Sequence, residues 1–127
     1  MTPADPSRES PVRQYSPAPQ TVEARMILIA GADVGSMEGA AAPLFRAGHV
    51  PVIGHWFTDP LVALSGFDPF SEETVERVMD PLTERLMARC DAILRVGGES
   101  PAADAMVGMG QARGLRVFFS LQDALDG

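Results

Sequence analysis

From Met26 onward the apolar positions follow two alternating rhythms. Met26-Ile27-Leu28-Ile29-Ala30 is a continuous apolar run closed by Gly31, the pattern of a strand buried on both faces of a parallel sheet. Ser36 is placed to cap a helix over about Met37–Ala47, with Pro43 as a kink inside it and Gly48 as its stop. Val50-Pro51-Val52-Ile53 is a second strand, and its proline suits a sheet edge. Gly54, Pro60, Gly66 and Pro69 mark 54–70 as a long loop with room for one helical turn at Leu61–Leu64.

Ser71, Glu72 and Glu73 then form a good helix start, because a hydroxyl and two carboxylates complement the exposed N–H groups and the positive dipole end. Val75, Val78, Met79, Leu82 and Leu86 recur at helical spacing as one apolar stripe, interrupted by Pro81. Ala92–Val96 is the third strand. Ser100-Pro101 is a cap followed by proline at the first helical position, opening a helix to about Arg113 with Gly114 as its stop. Leu115–Phe119 is the fourth strand, and Ser120 is placed to cap a short helix over Leu121–Leu125. Strands alternating with helices predict βαβ units and a parallel sheet of about four strands. No internal repeat is present.

Before this pattern begins, residues 1–24 hold five of the eleven prolines and no Leu, Ile or Phe. Such a segment buries too little apolar surface to offset its ordering entropy, so a mobile tail is expected; a docking arm is the functional alternative. The folded domain is then residues 25–127, within the usual size of a single domain.

Composition narrows the function classes. A net charge of −7 over 127 residues argues against binding a nucleic-acid polymer, which calls for a basic footprint. With one tryptophan, one tyrosine and six phenylalanines, a stacking platform for single strands is not expected either. No apolar run is long enough to span a bilayer, and the first residues carry no signal-peptide core, so a cytoplasmic protein without membrane attachment is expected. The single cysteine, Cys90, excludes an internal disulfide and reads as a small buried hydrophobe; no Cys/His cluster suggests zinc, and no cofactor is implied.

In open parallel sheets ligands bind beyond the carboxyl ends of the strands, which selects residues 31–38, 54–59 and 97–104. Gly31-Ala32-Asp33-Val34-Gly35-Ser36 opens a helix but lacks the third glycine of a dinucleotide fingerprint and the lysine of a P-loop. Asp33 can accept hydrogen bonds from sugar hydroxyls. Gly97-Gly98-Glu99-Ser100 allows close backbone approach at a helix start; Glu99 can act as a nucleophile or general base, or be a solvated loop carboxylate. Asp104 suits the first-turn dipole. His55 and Trp56 can stack on a base and donate to a ligand, or simply pack a loop; His49 reads as structural.

Taken together, Met26–Gly31 (MILIAG), Leu44–Val52 (LFRAGHVPV), Arg89–Val96 (RCDAILRV), Ser100–Asp104 (SPAAD) and Gly114–Val117 (GLRV) resemble the nucleoside 2-deoxyribosyltransferase-like superfamily, in particular its small bacterial members. The resemblance implies a flavodoxin-like (Rossmann-like) three-layer sandwich, assembly into homo-oligomers, and a nucleoside or nucleotide ligand. It also implies cleavage of an N-glycosidic bond by a glutamate nucleophile about eight residues before the glycine that ends its helix. That position here is Met106, and the family's loop aspartate falls at Ser100. A thioether cannot replace a carboxylate at an anomeric carbon. The expectation is therefore a non-catalytic nucleoside- or nucleotide-binding relative with a site at Gly31, Asp33, His55, Trp56, Gly98 and Ser100. The alternatives are an active glycosidase or transferase using Glu99 or Asp104, and a protein–protein module with a vestigial pocket.

Overall fold

The computed structural model describes residues 14–16 and 23–127, so the proline-rich segment up to residue 22 lies almost wholly outside the described residues. Four strands, β1 (Met26–Gly31), β2 (Val50–Ile53), β3 (Ala92–Val96) and β4 (Arg116–Phe118), form one sheet in the order β2-β1-β3-β4 with every pairing parallel. The helices are α1 (Val34–Arg46), α2 (His55–Ser65), a composite α3, α4 (Pro101–Ala112) and α5 (Leu121–Asp126). The fold is α/β, consistent with the flavodoxin-like three-layer arrangement.

Alternation along β1 builds the layers. Ile27 and Ile29 point to one face and pack with Met37, Ala40 and Leu44 of α1 and Ala124 of α5. Leu28 and Ala30 point to the other, against Met87, Cys90 and Ala103 and Val107 of α4. Both faces are covered, so Ile27 to Ala30 and Ala92 to Leu94 are essentially without solvent exposure. That is why these strands read as unbroken apolar runs rather than as alternation. Pro51 sits in β2, an edge strand bonded only to β1. His49 is buried, and its Nδ1 accepts from the Arg25 N–H at 3.1 Å, tying the entry of β2 to that of β1. Burial also pushes the Cys90 thiol up to about 11, with the Asp91 carboxylate adding to the effect.

Three local expectations are corrected. The cap of α1 is Asp33 rather than Ser36: Asp33 Oδ1 accepts from the Ser36 N–H, so the helix begins at Val34 and takes in Gly35 and Ser36. A carboxylate at the end of β1 reaches the third amide of the helix before the hydroxyl is needed. Residues 54–70 are not a long loop, because α2 fills His55–Ser65. Gly54 and Gly66 bound this helix instead of breaking it, Gly66 adopting the left-handed φ of +77° that suits a helix stop. The third helix is α-helical over Glu72–Thr74, π-helical over Val75–Met79 and α-helical again over Asp80–Met87. Pro81 has no N–H to continue the ladder, and the wider turn accommodates it. The extra residue shifts the helical phase, so Thr74 is fully buried while Val75, expected on the apolar stripe, is largely exposed.

Leu44→Ala is expected to lower unfolding stability by about 2–5 kcal/mol, since it empties a fully buried site between α1 and the sheet. Phe45→Ala, on a side chain 70% exposed, should stay within about 0.5 kcal/mol of the parent chain in the same urea titration.

Candidate functional site

Strand order decides where a crevice opens. From β1 the chain crosses to β2 on one side, and from β2 it crosses back past β1 to β3 on the other. The segments leaving β1 and β3 therefore diverge at their carboxyl ends, the position at which open α/β sheets hold ligands. A cavity of about 220 Å³ lies there. Ile29 and Gly31 of β1 form its floor, Met37 of α1 and Gly54, His55 and Thr58 at the start of α2 close one side, and Met79, Thr83, Ala103 and Met106 close the other. Larger concavities run along β4 and α5 (about 410 Å³) and beside α2 (about 320 Å³). Both are more open and neither touches β1, whereas the smaller one is lined by Ile29 and Gly31 at the carboxyl end of that strand, so topology favours it.

Its walls are mostly apolar, with two threonine hydroxyls and one imidazole as the polar groups. The volume falls below the roughly 300–1,000 Å³ of sites for drug-sized ligands, so it encloses one ring system rather than a dinucleotide. Glycine is required at the floor, because a Cβ on Gly31 would stand 2.7 Å from Met37 Cγ and 3.0 Å from Val96 Cγ2. Gly97 leaves β3 with a left-handed φ of +79° and lies against Ser36, bringing the β3–α4 and β1–α1 loops into contact.

Of the residues singled out from sequence, Gly31 and His55 line the cavity. Asp33, Trp56, Gly98, Glu99, Ser100 and Asp104 do not. Asp33 is engaged by its own helix: besides the Ser36 N–H at 2.7 Å, its other oxygen accepts from the Ser36 hydroxyl at 2.9 Å. Those two donors, the amide first, hold the Asp33 carboxyl below the usual aspartate range. Ser100 Oγ accepts from the Ala103 N–H and caps α4. Glu99 is solvent-exposed. His55 Nδ1 lies 3.5 Å from Asp59 Oδ1, one helical turn on.

Asp104 is committed to a cation that sequence reading passed over. Arg95 is 11% exposed in its side chain; its Nε donates to Asp104 Oδ1 at 3.0 Å and its Nη2 to the Gly98 carbonyl at 2.6 Å. Its Nη1 donates to the Val96 carbonyl. One guanidinium thus latches β3, the glycine loop and the first turn of α4 together. An arginine in an otherwise apolar strand was the available signal. Thr58 was hidden because α2 read as a loop, whereas Met79 and Thr83, four residues apart, share a helical face that sequence alone exposes.

No protein-family model matches this chain, and a search of curated proteins finds no significant match. The chemistry is therefore read from the residues. Among the described residues, no three His, Cys, Asp or Glu side chains come together as a metal site, and no helix is long and apolar enough to cross a membrane. No carboxylate lines the cavity, while the thioether of Met106 does. The arrangement can hold an uncharged flat ring by apolar and sulfur–ring contact. Its polar lining, among the described residues, is His55, Thr58 and Thr83.

Two measurements check this reading. The stabilisation that Asp33 supplies requires its charged form and its folded pKa is depressed. It should be fully present above the ordinary carboxyl range near pH 4 and be lost as pH falls through the folded value. Thermal melts of Asp33→Ala and the parent chain should therefore differ at pH 7 and converge toward pH 2. Arg95→Met removes the donor to the Val96 and Gly98 carbonyls, and is expected to cost about 1–3 kcal/mol and to speed amide exchange at residues 97–100.

Proposed function

We propose that the protein binds a nucleoside, a nucleotide or a related N-glycoside at the cavity beside the carboxyl end of β1, and does not cleave the glycosidic bond. The observation that carries this reading is the composition of the cavity wall: Gly31 at its floor, His55, Thr58 and Thr83 as polar contacts, and Met106 in place of any carboxylate. A heterocyclic base fits an apolar, methionine-rich chamber of this size, and its edge can exchange hydrogen bonds with the two threonines and the imidazole. The resemblance to nucleoside deoxyribosyltransferases supports the same ligand class, and Met106 and Ser100 stand where that resemblance calls for acidic groups.

The chemistry of hydrolysis or transfer requires a carboxylate in line with the anomeric carbon and a donor to the departing base. Asp104 is paired with Arg95, and Glu99 is solvated and outside the cavity wall. Neither has the desolvated setting that a working nucleophile or acid needs.

A thermal-shift panel of nucleosides and nucleoside monophosphates tests the proposal. At least one member is expected to raise the melting temperature by mass action, without free base appearing on prolonged incubation. Ala102→Phe, an exposed position at the cavity wall, should abolish that shift while leaving the unliganded melting temperature nearly unchanged. No stabilisation by any member overturns the ligand class. Base release that is lost in Glu99→Gln overturns the non-catalytic reading.

A further inference from the structure

The helix α2 is built the wrong way round for a surface helix of a lone domain. Of its eleven residues only Thr58 and Val62 are buried. At 100° per residue, Trp56, Pro60, Leu64 and Phe57 fall in order on the face opposite those two, with Leu61 at its flank. Trp56 is 45% exposed, Phe57 41%, Leu61 44% and Leu64 83%; Phe70, in the turn that follows, is 95% exposed. An amphipathic helix draws its stability from burying its apolar stripe, and eleven residues form a marginal helix without such packing. Here the stripe faces outward.

We infer that this outward face of α2 is the contact surface for a second copy of the chain, in a symmetric dimer that packs α2 against α2. At roughly 200 Å² per aromatic side chain and somewhat less per leucine, the five side chains present about 600 Å² of apolar surface. That reaches the top of the range for the largest patch on a monomer, and paired with itself it approaches the smallest stable specific interfaces, near 1,200 Å² in total. The neighbouring α3 carries five carboxylates, Glu72, Glu73, Glu76, Asp80 and Glu84, against Arg77 and Arg85, and Arg77 already pairs with Glu73 at 3.3 Å, so apolar area and not charge holds the two copies together. The segment before residue 23 is a poor occupant, since it contains no Leu, Ile or Phe to match a Trp/Phe/Leu surface. Dimerisation also braces the site: His55 and Thr58 of the same helix and Gly54, which caps it, line the cavity.

Trp56 is the protein's one tryptophan and lies on the proposed surface, so it reports directly on the contact. Sedimentation velocity of the full chain, run from micromolar to submillimolar concentration beside its tryptophan emission, is the test. The expected result is a monomer–dimer equilibrium in which the emission shifts to the blue with the same midpoint as the mass. Added salt should strengthen the dimer, because each copy carries a net charge of −7. Leu64→Glu should weaken association about tenfold or more with an unchanged melting profile of the monomer, and Phe57→Ser, a second exposed position, should do the same. A monomer with solvated Trp56 at all concentrations overturns the inference and leaves the face to a different protein. A monomer with blue, concentration-independent emission overturns it in favour of cover from within the chain. A dimer indifferent to both substitutions places the interface elsewhere and equally overturns it.

Discussion

The parallel pairing of β1 with β3 is the constraint on which the rest of this structure depends. Residues 27 to 31 of β1 are matched to residues 92 to 96 of β3, while the opposite side of β1 is matched to β2. With a strand on either side and helices on both faces, Ile27 to Ala30 have no access to water, and only apolar residues are tolerated there. Because β2 and β3 follow each other in the chain but lie on opposite sides of β1, the connections must part at the carboxyl end. The cavity is the space they leave.

What surrounds that space follows from demands made elsewhere. Gly31 has no side chain because Met37 and Val96 already occupy the room, and Gly97 adopts a left-handed turn because the chain must leave β3 against Ser36. Asp33 and Ser100 each complete a helix start, so the polar side chains at the crevice are first of all caps. Arg95 serves as the counterion of Asp104 and as donor to the loop carbonyls. The consequence is neighbouring loops whose hydrogen-bonding groups are already in use, and a cavity lining that includes Met37, Met79 and Met106.

The alternation of strands and helices, the parallel sheet and the edge position of β2 were legible in residue order. Each reflects a rule that acts within a few positions: an apolar run buried twice, a proline that cannot donate, a hydroxyl or glycine at a helix end. The same rules misread residues 54–70, where Gly54, Pro60, Gly66 and Pro69 suggested a loop. Two of those breakers bound α2, and the helix itself carries its apolar stripe on the side away from the sheet. Likewise the π turn before Pro81 moved Val75 off the stripe that its spacing predicts.

Sequence order alone determined the fold class and the end of the sheet at which to look, since both depend on local patterns and on a general rule of topology. Only tertiary structure decided which side chains meet. Met37, Thr58, Thr83 and Met106 come from four helices, and no spacing in the chain relates them. Asp33 and Asp104 looked free as residues, and folding gave each a partner at hydrogen-bond distance, Ser36 for one and Arg95 for the other. A side chain's chemistry is written in its own identity, but whether that chemistry is available depends on what the fold brings beside it.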